Sequence, residues 1–261
     1  MRRRASFRSR PRRSRYRKRK SRFTRAVQRA ELKNSSTKKI VYATQSGATL
    51  AQGDGTSRIV YIHTPVSNIV QGTGKTDFIE DTISNVFVRI RAAISTNLAN
   101  AEFNQIFIRF VSFWSPARQS FLAGPITFGN TTTTSTNPTA ASPLANPYIF
   151  DVSSGVARFV GASYATPFDT TNIRIIATRT FNINPGGAAN GMIIKKFTLP
   201  IAKKIRFQDN GESPLTSTPN YPRNGQYYIM YQVFGVTGTG NVANTTIANM
   251  DATYTLYFKD I

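Results

Sequence analysis

The sequence predicts an all-β body, a two-sheet sandwich of about eight strands, behind a basic arm that does not fold alone. Three observations lead there. After residue 39 the chain is rich in Thr, Asn, Ser, Gly, Ile, Phe and Tyr, which is strand and turn chemistry. Its apolar residues fall at period two in runs separated by long polar loops. And residues 1–39 hold 18 Lys or Arg against one acid, Glu31, which is +17 of the chain's formal +22. The other 222 residues carry 16 basic and 11 acidic groups, a net +5 ordinary for a soluble body.

The arm comes first. Residues 1–29 contain 15 basic residues and no acid: Arg2, Arg3, Arg4, Arg8, Arg10, Arg12, Arg13, Arg15, Arg17, Lys18, Arg19, Lys20, Arg22, Arg25 and Arg29. So few apolar residues accompany them that ordering entropy is not offset, and the segment is expected to be disordered by itself. Cations this dense bind a polyanion by releasing its condensed counterions, strongly and with little regard for sequence. The interleaved Phe7, Tyr16 and Phe23 suit stacking on unpaired bases. Single-stranded nucleic acid is therefore the expected partner of these 18 positions. PRRSRYRKRK (11–20) also has the density of a nuclear localisation signal, carried by Arg12, Arg13, Arg15, Arg17, Lys18, Arg19 and Lys20. One segment can serve import and then packaging. A solvated tail that only keeps the chain soluble is the plainer alternative. A membrane anchor is not expected: it would want an amphipathic face or an acylation signal, and residues 2–7 begin Arg-Arg rather than Gly, which is no myristoylation site.

Residues 23–33, FTRAVQRAELK, are the one helix expected near the start, with Thr24 as its cap. Residues 34–40 read as a hinge, so the arm and hinge span 1–39 and the folded domain 40–261. Strands follow at Ile40–Thr44 and Arg58–Thr64, with a turn-rich loop between them. In TISNVFVRIRAAI (82–94), Val86, Val88, Ile90, Ala92 and Ile94 share one face, and Arg89 and Arg91 the other. NQIFIRFVSFW (104–114) looks buried on both faces except at Arg109, as if a second subunit covered its back. The low-complexity stretch 129–147, with three prolines, reads as a surface loop. Residues 172–183 and 192–199 are strands, Pro200 is expected to interrupt the ladder, and 201–208 resumes it. GQYYIMYQVFGV (225–236) and ATYTLYFKDI (252–261) complete the set. Long connections rather than tight hairpins favour Greek-key crossings between two sheets, that is, an eight-stranded jelly roll.

Reactive groups are scarce. His63 is the only histidine and there is no cysteine, so a His/Cys metal site is excluded by count. His63 lies in an apolar strand, where a structural histidine is the expected reading, and no GxSxG occurs. GTGKT (72–76) lacks the earlier glycine of a phosphate loop and reads as a turn. Asp77, Glu80 and Asp81, or Asp209 and Glu212, read as solvated loop carboxylates rather than a Ca²⁺ site. No apolar run reaches the ~18 residues of a membrane span. The expectation is a structural, non-enzymatic protein with no cofactor, metal or membrane partner.

Several stretches, in this order, resemble a known family. QGTGKTDFIEDTISNVFVRIRAAI (71–94) is similar to the segment leading into the C strand of small jelly-roll capsid proteins, and IFIRFVSFW (106–114) to their D strand. IRIIATRTFNI (173–183) resembles the strand after their long loop. NGQYYIMYQVFG (224–235) and YTLYFKDI (254–261) resemble their closing pair. With the arm, these stretches resemble the capsid protein of a small circular single-stranded DNA virus, circovirus-like in the broad sense. Satellite RNA-virus coats share the layout. The resemblance implies self-assembly into an icosahedral shell of sixty subunits (T=1) or a multiple, arms inward, holding the viral genome, with DNA favoured over RNA. It also implies host import factors, an unknown cell receptor, and residence in the virion and, during assembly, the host nucleus. Sixty arms would carry on the order of a thousand positive charges, enough for roughly as many phosphates.

Overall fold

The computed structural model describes residues 26–27, 30–32, 34–51, 60–69, 81–96, 103–116, 149–150, 167–183, 192–207, 222–237 and 246–260. The chain divides into two units, Met1–Asn34 and Ser35–Ile261. In the first, the described residues Ala26, Val27, Ala30, Glu31, Leu32 and Asn34 are helical, in agreement with the helix expected over 23–33. Thr24, its expected cap, lies outside the described residues.

The second unit is built from eight strands: β1 (Thr37–Ala51), β2 (Tyr61–His63), β3 (Thr82–Thr96), β4 (Phe103–Ser115), β5 (Arg174–Ile183), β6 (Met192–Arg206), β7 (Gln226–Thr237) and β8 (Thr246–Asp260). They form two four-stranded sheets, ordered β1-β8-β3-β6 and β2-β7-β4-β5. Every pairing is antiparallel. The order has a simple origin. β1 pairs with β8, β2 with β7, β3 with β6 and β4 with β5, so each strand lies beside the one equally far from the other end. The chain is thus one long hairpin rolled over, and the rolling adds the β3–β8 and β4–β7 contacts. That is an eight-stranded jelly roll.

Period-two alternation decides which side chains enter the core. Along β3, Val86, Val88, Ile90, Ala92 and Ile94 are all buried, as the sequence pattern predicts. They meet Ile106, Ile108 and Phe110 of β4 and Ile229, Tyr231 and Val233 of β7 across the sandwich. Phe110 is fully buried among the rings of Phe181, Phe197 and Tyr231. A second cluster covers the opposite face of the β2-β7-β4-β5 sheet. Val60, Ile62, Val111, Phe113, Tyr228 and Met230 lie there under Ile149, Phe150, Phe168 and Ile173. The covering segment is tied down by the Asp169 amide, which donates to the Ile149 carbonyl at 2.9 Å. The Asp169 carboxylate in turn accepts from Thr171 and Asn172. So the back of β4 is buried by the chain's own connection, where the sequence suggested a second subunit.

Other local expectations change too. β1 runs from residue 37 to 51 rather than 40 to 44, because bulges let polar residues join the ladder to β8. β6 is continuous through Pro200. It is an edge strand, where a proline is tolerated, and Pro200 pairs with Phe87 beside a register shift. The Pro200 carbonyl accepts from Ser112 Oγ of the other sheet at 2.7 Å. Arg109 is buried, not exposed: its guanidinium donates from Nε and Nη2 to Gln232 Oε1 and lies 4.7 Å from the Phe168 ring centre. Finally, the stretches compared above with C and D strands are the third and fourth of eight, one place later in a roll lettered from B. The three-residue β2 takes the second place. Among the described residues no helix is long and apolar enough to cross a membrane.

One glycine is required by geometry. Gly225 enters β7 at φ +87°, and a Cβ there would overlap the Ser115 carbonyl oxygen and crowd Trp114 Nε1 at 2.9 Å. Trp114 Nε1 meanwhile donates to the Asn224 carbonyl at 2.8 Å. Gly225→Ala is expected to cost about 2–4 kcal/mol, from left-handed strain and overpacking, read as a lower urea midpoint at unchanged slope.

Candidate functional site

The residues expected to bind nucleic acid, Arg2 through Arg25 with Phe7, Tyr16 and Phe23, and Arg29, lie outside the described residues. So do the proposed localisation signal, the GTGKT turn, and Asp77, Glu80, Asp209 and Glu212. Asp81 is described, and its Oδ1 accepts from Thr82 Oγ1 at 2.9 Å. Three places in the folded unit bring chemistry-bearing side chains together.

The first is interior. His63 is fully buried at the end of β2. Its Nδ1 is 3.4 Å from the Tyr42 hydroxyl, and the Tyr254 ring meets it edge-on at 5.1 Å. Nearby, Gln45 Nε2 donates to the Tyr231 hydroxyl at 3.0 Å, and the Tyr254 hydroxyl donates to Gln45 Oε1 at 3.2 Å. Tyr61 stacks on Tyr231 at 5.0 Å. His63 Nε2 has no hydrogen-bond partner among the described residues. Burial lowers the His63 pKa from 6.5 to about 3 and raises those of Tyr42, Tyr231 and Tyr254, so all four are held neutral. Among the described residues the neutral imidazole is enclosed by Tyr42, Tyr231 and Tyr254, the environment of a packing side chain.

The second is a cleft of about 640 Å³ where β4, β5, β6 and β7 converge. Trp114 and Tyr227 supply aromatic surface, Ile201 an apolar floor, and Arg174, Lys203 and Lys204 positive charge. Burial raises the Tyr227 hydroxyl pKa, and the Arg174 charge partly offsets it.

The third is the outward face of the β1-β8-β3-β6 sheet. Register fixes who sits beside whom. Phe87 lies between Tyr257 and Pro200, Arg89 between Thr255 and Thr198, and Arg91 between Thr253 and Lys196. Lys39 of β1 pairs with Tyr257 and Val41 with Thr255. The Phe87 and Tyr257 rings stack at 5.0 Å with 8° between planes, and the Arg89 guanidinium sits 5.0 Å from the Tyr257 ring centre. The sequence pattern placed Arg89 and Arg91 on this face, but only the register sets Lys196 against Arg91.

No protein-family profile matches the chain, and no curated protein matches it. Solved structures give similarities of another kind. Against VP1 of Trichodysplasia spinulosa-associated polyomavirus in complex with GM1 oligosaccharide, identity is 10% and TM-score 0.26, over 87% of this chain and 93% of that one. Against the same VP1 in complex with 3'-sialyllactose the values are 12% and 0.20, over 87% and 94%. The jelly-roll assignment itself rests on the strand order described above.

Proposed function

We propose that this protein is the structural subunit of a small icosahedral viral shell that packages single-stranded nucleic acid through its Arg-rich arm. One observation carries the reading. Residues 1–36, net +15, are joined without intervening domain to the first strand of a jelly roll whose own net charge is modest. A polycation of that density neutralises phosphate regardless of sequence, while the sandwich offers sheet faces and loops for contacts between copies. The circovirus-like resemblance favours a single-stranded DNA genome, sixty copies, and import by host factors that read residues 12–20 before assembly in the nucleus. The test is negative-stain imaging of the purified protein, with its nuclease-protected content extracted. Closed shells of uniform diameter containing single-stranded nucleic acid are expected. A monomer that forms no shell at any salt concentration would place the chain with cellular nucleic-acid-binding structural proteins instead.

The cleft favours a second reading, attachment to a receptor. Trp114 and Tyr227 beside Arg174, Lys203 and Lys204 are the surface an acidic sugar requires, one flat face and several cations. Binding of that kind survives removal of the arm.

A further inference from the structure

We infer that the outward face of the β1-β8-β3-β6 sheet is a second contact for single-stranded nucleic acid, with Arg89, Arg91 and Lys196 meeting phosphates and the Phe87–Tyr257 pair receiving a base. The inference rests on the reading that the cargo is single-stranded nucleic acid, and it adds a site on the folded unit to the one on the arm.

The two sheets differ in how their outer faces are treated. One is roofed by Ile149, Phe150, Phe168 and Ile173. The other leaves Lys39, Val41, Arg91 and Lys196 exposed. Its charges are placed against ordinary sheet energetics. Arg91 and Lys196 are directly paired across β3 and β6, and like charges directly opposite destabilise a sheet. On its other side Arg91 meets Thr253, not an acid. The nearest carboxylate in the register is Asp251, opposite Ala93, and its Oδ1 accepts the Gly47 amide at 2.6 Å. An anion supplied from outside relieves the Arg91–Lys196 repulsion.

Spacing then selects among anions. Arg89 and Arg91 are two residues apart on one face, ~7 Å along the strand, a separation similar to that of successive phosphates in an extended strand. The Phe87–Tyr257 stack continues the row on the far side of Arg89. Its rings are half-buried between strands that hold them in place. An aromatic platform beside a line of cations is how proteins hold unpaired strands without reading their sequence. Chain continuity adds to this. Residues 1–34 are followed, two residues on, by β1, a strand of this same sheet.

The experiment uses the full-length chain throughout. A halogenated-uracil oligo(dT) is photocrosslinked to it and the adducts are mapped by mass spectrometry. In parallel, the salt dependence of oligo(dT) binding is compared between the wild type, Arg89→Gln/Arg91→Gln/Lys196→Gln, and the charge-preserving Arg89→Lys/Arg91→Lys. Adducts at Phe87 or Tyr257 are expected, together with a log–log salt slope shallower by about 2 in the triple Gln variant and restored in the Lys variant. Adducts confined to residues 1–29 with an unchanged slope would overturn the inference. So would loss of assembly in the triple variant with unaltered binding, which would make the face a contact between copies. Adducts on the sheet but none on the arm would sink the arm reading and leave this one standing.

Discussion

A chain lacking residues 1–29 is expected to keep its fold and lose its grip on single-stranded nucleic acid. All eight strands lie between residues 37 and 260, so no ladder partner is removed. The deletion does remove 15 of the 34 Lys and Arg residues. On a single strand each neutralised phosphate contributes roughly 0.7 to the log–log salt slope. If only half of those cations engage, the arm supplies a slope of about −5, and a fourfold rise in salt weakens binding roughly a thousandfold. The truncated chain should retain the much shallower slope of its sheet face. Filter binding or fluorescence anisotropy across a salt series measures both. Equal affinity and equal slope before and after truncation would mean that the arm does not hold the cargo.

Acid should loosen the folded unit by a route that one side chain dominates. The His63 pKa is about 3 in the fold against 6.5 when exposed, because burial disfavours the imidazolium. Above pH 6.5 both states are neutral at this position and it contributes nothing to pH dependence. Below that, the unfolded chain takes up a proton that the folded chain refuses, so stability falls as pH falls, down to about pH 3, and then levels. The slope is about 1.4 kcal/mol per pH unit, so roughly 3 kcal/mol is lost by pH 4.5 and about 5 at the limit. The groups facing the ring are Tyr42, Tyr231 and Tyr254, whose pKa values are raised, and none of them titrates in this window. His63→Gln should flatten the stability profile between pH 6.5 and 4 by about one proton. Because the chain has a single histidine, its ring proton resonance reports the site directly. A titration midpoint near 6.5 would show that the ring is not enclosed as described.

What could be read from the sequence was local. Period two in residues 86–94 placed five side chains in the core and two arginines outside, and the fold keeps all seven there. His63 read as structural, and it is. Arg109 did not read correctly, because a charge inside an apolar strand looks like an exposed position until Gln232 and Phe168 are seen to enclose it. Pro200 read as a break, because nothing in the local pattern says that its strand lies at a sheet edge. Pairing was the largest gap. Alternation tells which face a residue occupies but not which strand lies beside it, and Lys38 meets Asp260 across 222 positions. The opposition of Arg91 to Lys196, and the cleft that draws Trp114, Arg174, Lys203 and Tyr227 from four strands, exist only after the roll is closed. Residues 1–25 of the arm lie outside the described residues, and its basic, acidic and aromatic residues are counted from the sequence alone.

The pairing of β1 with β8 has a temporal corollary. During synthesis β1 emerges well before β8 and waits for that last of the eight strands before it has a neighbour. β8 is inserted between β1 and β3, so that sheet cannot close until residues 246–260 have emerged. Contacts this distant in sequence make folding slow, and nascent chains therefore expose unpaired strand edges for longer than a hairpin-rich sandwich of equal size.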